Sequence, residues 1–113
     1  MRFTFFSILL FTACFSLQAQ DCNLEAALLN IKALEEKGAF KEGLAKAEIL
    51  LECPKISNND KIVLHTWMYK FHRNQLKNKR GLASLLKAVA IQKRESIESD
   101  LDFNMLLAEA YAL

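Results

Sequence analysis

The residues of this chain that could carry out chemistry are few and widely spaced. His65 and His72 are the only two histidines, and they lie seven residues apart. Two imidazoles that bind one metal ion from a single helix stand four residues apart, and no acid or cysteine completes a ligand set beside this pair. We therefore predict two structural histidines and no metal site.

The sequence also contains no motif for a catalytic nucleophile and no glycine-rich loop that could bind phosphate. Ser84, Ser96 and Ser99 lie outside any G-x-S-x-G elbow. Each of the three glycines stands alone, and the acidic pair Glu35/Glu36 falls at a predicted helix end. The sequence predicts no enzymatic activity and no cofactor.

Two dense stretches could form contact surfaces. In "TWMYKF", Trp67 and Phe71 are four residues apart and are predicted to be core, whereas Tyr69 points elsewhere and is the candidate for a contact. The basic stretch "KFHRNQLKNKR" fits the last turns of a helix, where cations complement the negative end of the dipole. A patch for an acidic partner, a phosphate or a lipid headgroup is the alternative.

The first 19 residues have the plan of a secretory signal peptide. Arg2 precedes an uncharged apolar run from Phe3 to Leu17, and we predict cleavage after Ala19, with Leu17 and Ala19 at the recognition positions. The run is shorter than the roughly 20 residues of a spanning helix. An alternative cleavage site lies before Cys14, because "LFTAC" loosely resembles a lipobox. In that case Cys14 would be lipidated. We predict a secreted or periplasmic protein that contacts the membrane only through its leader.

Charge and length limit what the mature chain, residues 20–113, could do. The whole chain has 15 basic and 13 acidic residues, and removing the leader takes away one arginine. A nearly neutral domain argues against nucleic acid as a partner. The length allows one small domain.

Apolar residues recur at three- and four-residue steps along the whole mature chain, which predicts an all-α fold. The helices are predicted to start at Leu24, to cover 40–52, 61–78 and 82–95, and to resume near Leu101. Gly38 and Gly81 are the predicted breaks, and Asn59 or Asp60 is the predicted cap of the third helix.

Two cysteines remain after the leader is removed, and their placement predicts a disulfide. Short turns make the first and second helices antiparallel, so the start of one lies beside the end of the other. Cys22 and Cys53 occupy those two places. An exported chain can oxidise them.

Helix starts near residues 24, 61 and 101 define a repeat of roughly 37 to 40 residues. "EKGAFKEGLAKAEILLECP" resembles the second half of a tetratricopeptide repeat, with Gly38 at the turn, Phe40 after it, and Pro54 at the close. "LLAEAYAL" is similar to the first helix of another unit. The middle unit departs from the pattern at "NKRG". The resemblance implies antiparallel helix pairs stacked as a short solenoid of about two and a half repeats.

The same resemblance implies that a partner docks on the concave face formed by the first helix of each unit. The residues assigned from the middle repeat unit could be shifted by one position, because the turn of that unit departs from the family pattern. Carried over position by position, that face comprises Glu25, Lys32, Glu35, Tyr69, Arg73, Lys77, Asp102, Met105 and Glu109.

These expectations lead to an exported interaction module that binds a peptide or protein segment. The alternative is the N-terminal repeat segment of a larger exported signalling protein or enzyme that is truncated here. A homodimer through the C-terminal helix is a further expectation, since "MLLAEAYAL" is apolar on more than one side.

Overall fold

Five α-helices connected by short turns make up the part of the chain that the computed structural model describes, residues 22–113. The predicted leader, its cleavage site and Cys14 lie outside these residues. No strand occurs between residues 22 and 113, so the all-α prediction is confirmed. The helices are α1 (Leu24–Lys37), α2 (Phe40–Leu51), α3 (Asn58–Asn74), α4 (Asn78–Arg94) and α5 (Leu101–Ala112).

The turn between α1 and α2 is built on Gly38. Its φ of 78° is left-handed, as predicted, and its N–H donates to the carbonyl of Glu35. The N–H of Ala39 donates to the carbonyl of Leu34 over 2.9 Å. This pair of bonds satisfies carbonyls that the end of a helix leaves unpaired. The chain therefore reverses within two residues, and α2 returns alongside α1.

Phe71 of α3 anchors the first hydrophobic core. Its side chain is fully buried and packs with Ile31 of α1, Ala47 of α2 and Leu64 of α3. Gly43 lets the ring approach the α2 backbone, because a Cβ there would lie 2.6 Å from Cε1 of Phe71. The small residues of α2 thus allow α3 to pack closely against it.

The predicted disulfide between Cys22 and Cys53 is confirmed. Their Cα atoms lie 5.9 Å apart, within the usual range for such a bridge. The bond joins the residues just before α1 and just after α2. It therefore closes the open end of this helix pair, opposite the turn at Gly38.

The predicted boundary between the third and fourth helices is wrong. The helix α3 ends at Asn74, and the chain reverses at Leu76, whose φ is +61°. Gly81 does not break a helix but lies buried in the first turns of α4, where a Cβ would be 3.0 Å from Cδ1 of Tyr69. The prediction failed because this glycine serves close packing. The cap of α3 is also corrected, since Ser57 Oγ accepts the N–H of Asp60.

A second core lies between α3, α4 and α5. Tyr69, Leu85 and Ala88 are fully buried there, and Phe103 and Ala110 of α5 cover them. The carboxylate of Asp100 accepts the N–H of Phe103 over 2.7 Å and caps α5. The helix α3 therefore contributes to both cores.

Candidate functional site

Tyr69 is not on a contact surface, so that part of the predicted partner face is wrong. Its side chain is fully buried in the second core. The helix α3 packs against α2 on one side and against α4 and α5 on another, and Tyr69 lies on the second of these sides. Burial is the main reason that the pKa of Tyr69 is raised, and nearby Glu109 adds to the rise.

Two other predicted residues pair with each other across the fold. Arg73 Nη1 donates to both carboxylate oxygens of Glu109, at 3.2 and 3.1 Å, and so connects α3 to α5. The Arg73 guanidinium also lies 5.5 Å from the centre of the Tyr69 ring. Both side chains of the ion pair are partly exposed, so its contribution to stability is modest, about 0–1 kcal/mol. The pair fixes α5 against α3.

The groove between α1 and α3 holds two more of the predicted residues. Glu25 and Lys32 line it together with Leu28, Leu29 and Trp67, and its volume is about 430 Å³. Trp67 was predicted to be core, but it is only partly buried and packs on the edge of the first cluster. We call this set of five residues the α1–α3 groove. It has an apolar floor with an acid and a base on its sides.

A cation stands beside this groove. The ammonium group of Lys70 lies 4.5 Å from the centre of the Trp67 ring. A cation over an indole face is attracted by the negative charge density of the ring. Sequence spacing could have suggested this contact, because residues 67 and 70 are neighbours on a helix.

The other four predicted residues do not form a cluster with these. Glu35 is half-buried near the end of α1, Lys77 is exposed in the turn before α4, and Asp102 and Met105 are exposed on α5. Within residues 22–113, no hydrogen bond or ion pair joins any of them to another member of the predicted face. The predicted face is therefore divided between the α1–α3 groove and the Arg73–Glu109 pair.

Sequence reasoning missed a second cavity, of about 360 Å³, between α1 and α2. It is lined by polar and apolar residues, and Lys46 Nζ donates to Asn30 Oδ1 across it over 2.7 Å. Ala27, Ile49 and Leu50 supply apolar surface. Asn30 and Lys46 are 16 residues apart, and no local pattern in the sequence connects them.

Both histidines are buried, in accord with a structural role. His65 and His72 are exposed by only 8% and 7%, and the Nδ1 atom of each lacks a hydrogen-bond partner. Burial lowers the pKa of both below the ordinary value of 6.5. The positive charges of Lys87 and Lys61 lower the pKa of His65 further. Arg80 and Lys77 do the same for His72, and Glu48 opposes them.

We expect these histidines to make stability pH-dependent. Because their pKa is lower in the folded chain, the unfolded chain binds more protons below about pH 6.5. The free energy of unfolding should be constant above that pH, should fall as the pH drops towards the folded pKa values, and should then level off. Urea midpoints between about pH 8 and pH 5 measure this. The His65→Gln/His72→Gln variant should show a flatter dependence, and equal slopes for both proteins would contradict the assignment.

The described residues form neither a metal-binding cluster nor a membrane-spanning helix. Between residues 22 and 113, no three His, Cys, Asp or Glu side chains are grouped so as to hold a metal ion. No helix in the same range is long and apolar enough to cross a membrane.

The comparisons with known proteins assign no family. The chain matches no protein-family model, and no curated protein or solved structure is significantly similar to it.

Proposed function

We propose that this chain is an exported helical-repeat module that binds a peptide or protein segment and carries out no chemistry of its own. The observation that carries this proposal is the α1–α3 groove. Glu25 and Lys32 lie at its sides, and Leu28, Leu29 and Trp67 provide apolar contact. Apolar surface supplies affinity in such sites, and a few polar groups fix the orientation of the ligand.

The arrangement of the helices supports a short tetratricopeptide-like solenoid. Two antiparallel pairs, α1 with α2 and α3 with α4, follow each other along the chain, and α5 follows them. In the proposed array α5 is the first helix of a third unit. The helices α1 and α3 hold the position of first helix in their pairs. In such arrays stacked repeats present an extended concave surface to their partners, and the groove lies between these two helices.

The composition of the groove suits a peptide. Leu29 is 71% exposed in the free chain, so a ligand could cover it and gain apolar burial. Glu25 and Lys32 could pair with charges of either sign along an extended segment. The groove is shallow and open, which suits a chain that lies across it better than an enclosed small molecule.

Export is supported by the disulfide. The bridge between Cys22 and Cys53 persists in an oxidising environment such as the periplasm or the cell exterior. This agrees with the leader expected from the first 19 residues.

The proposal is tested with a displayed library of random peptides. The chain is produced in an oxidising compartment and used to select binders, whose affinity is then measured for variants of the groove. Because Trp67 is the only tryptophan, its fluorescence should change when a selected peptide binds. Leu29→Ala and Lys32→Ala should each raise the dissociation constant about tenfold.

The matched controls lie on α2, away from the groove. Lys41 and Glu42 are exposed there, so Lys41→Ala and Glu42→Ala should bind as the parent chain does. The proposal fails if no peptide is enriched. It also fails if enriched peptides bind the groove variants and the α2 controls equally well.

A further inference from the structure

Charge is strongly segregated along the second half of the chain. Residues 61–94, which cover most of α3 and all of α4, contain nine lysines and arginines and no acid. Residues 95–113, which cover α5, contain five acids and no lysine or arginine. The nearly neutral total conceals this separation. One helix pair is basic, and the segment that follows it is acidic, with Asp102 and Glu109 of its five acids inside α5.

The exposed side of α4 combines this basic charge with a narrow apolar stripe. Ala83, Leu86 and Ala90 follow each other at helical spacing on the solvent side of the helix, and Leu86 is 41% exposed. Five exposed cations surround this stripe. By helical spacing Lys79 lies in line with the stripe, Lys93 lies on one side of it, and Arg80, Lys87 and Arg94 lie on the other. We call this surface the α4 outer face. Of its five cations only Arg94 is in an ion pair within the described chain, with Glu95.

The exposed side of α5 also carries an apolar stripe, but the charge beside it is acidic and not basic. Leu101 and Met105 are 73% and 62% exposed, and Ala108 and Ala112 continue the stripe. The opposite side of the same helix carries the buried Phe103 and Ala110. We call the exposed stripe, with Asp102 beside it, the α5 outer face; Glu109 lies on the same side of the helix but is paired with Arg73 of its own chain. Only one side of α5 is covered within the described chain, so this second apolar stripe is left exposed.

We propose that the α5 outer face of one copy docks on the α4 outer face of a second copy. Alanines on both stripes allow the two helices to approach closely. Asp102 of one copy then faces the lysines and arginines of the other, which favours association and fixes its orientation. Because the chain itself carries both complementary surfaces, a second copy is the occupant that the charges select.

Two other pairings of copies are disfavoured by charge. Pairing α5 with α5, the arrangement that the sequence suggests for a homodimer, brings the Asp102 carboxylates of both copies to one seam, whereas Glu109 is already paired with Arg73 of its own chain. Pairing α4 with α4 brings ten cations together. Like charges across an interface suppress association. Only the pairing of α4 with α5 joins opposite charges, and it leaves the α1–α3 groove open to a peptide, so it stands apart from the function proposed above.

Sedimentation equilibrium of the oxidised chain tests this contact by a charge exchange. The parent chain should associate in a concentration-dependent manner that added salt weakens. Lys87→Glu on α4 and Asp102→Lys on α5 should each raise the dissociation constant about tenfold. An equimolar mixture of the two variants should recover association, because each variant supplies the parent face that the other lacks and the exchanged charges are opposite in the reciprocal contact.

The matched control is Lys41→Glu, which makes the same charge change on the exposed surface of α2 and should associate as the parent does. All three positions are exposed, and circular dichroism verifies that each variant is folded. The contact is overturned if the parent chain stays monomeric to about millimolar concentration, or if Lys87→Glu behaves as Lys41→Glu does. It is also overturned if Leu101→Ser abolishes association that Lys87→Glu leaves unchanged, because that result indicates pairing of α5 with α5.

Discussion

The Phe71→Ala variant should lose about 3–5 kcal/mol of the free energy of unfolding. The ring is fully buried and packs between α1, α2 and the rest of α3. It also contacts two other rings, with centroid distances of 6.3 Å to Phe40 and 6.2 Å to Trp67. Alanine would leave a cavity over Gly43, which has no side chain to fill it. Urea denaturation followed by circular dichroism measures the loss.

Leu76→Ala is the matched control for this substitution. Leu76 is apolar and lies only five residues further along the chain, but it is 85% exposed in the turn after α3. Its replacement should change the free energy of unfolding by less than about 0.5 kcal/mol. Equal losses for the two variants would show that the first core is not centred on Phe71.

Loss of the disulfide should have an effect of similar size. The bridge spans a sequence separation of 31 residues, for which loop-closure entropy corresponds to about 3–4 kcal/mol. The Cys22→Ser/Cys53→Ser variant should therefore unfold at a much lower urea concentration than the oxidised parent. A domain of this size has a free energy of unfolding of only several kcal/mol, so this loss is a large part of it.

A reductant separates the bond itself from the substitutions. Dithiothreitol should lower the midpoint of the parent to near that of the double variant and should leave the double variant unchanged. If the parent keeps its midpoint when fully reduced, the bridge contributes no stability. Alkylation of the unfolded, reduced chain confirms that both thiols were released.

The fold class and the disulfide could be predicted because their signals are local or follow from a short turn. Gly38 and the apolar spacing around it fix a tight reversal, and a tight reversal makes two helices antiparallel. Cys22 and Cys53 must then be neighbours. No long-range information is needed for this conclusion.

The boundary of α4 and the burial of Tyr69 could not be predicted in this way. In the sequence, Gly81 looks like a glycine that ends a helix. In the fold, the Tyr69 ring packs against it. This contact depends on how α3 and α4 pack together, so the local sequence does not predict it. Tyr69 was excluded from the core on the expectation of one apolar face for α3. The helix is covered on two sides, so more of its residues are buried than one stripe contains.

The candidate site was predictable only in part, for a similar reason. Glu25 and Lys32, which the resemblance to a repeat family places on the partner face, do line the α1–α3 groove. The ion pair between Arg73 and Glu109 joins residues 36 positions apart, and no local pattern announces it. The packing of the helices likewise determines which lysines share one surface, as those of the α4 outer face do.

The bridge between Cys22 and Cys53 has a consequence for proteolysis. The turn between α1 and α2 lies inside the covalent loop that the bridge closes, so a single cut there does not release a fragment. The severed N-terminal piece stays attached through sulfur and can keep its place against Phe71. A protease that nicks this turn should therefore give a protein that migrates as one band until it is reduced, whereas a cut in the turn at Leu76 divides the chain at once.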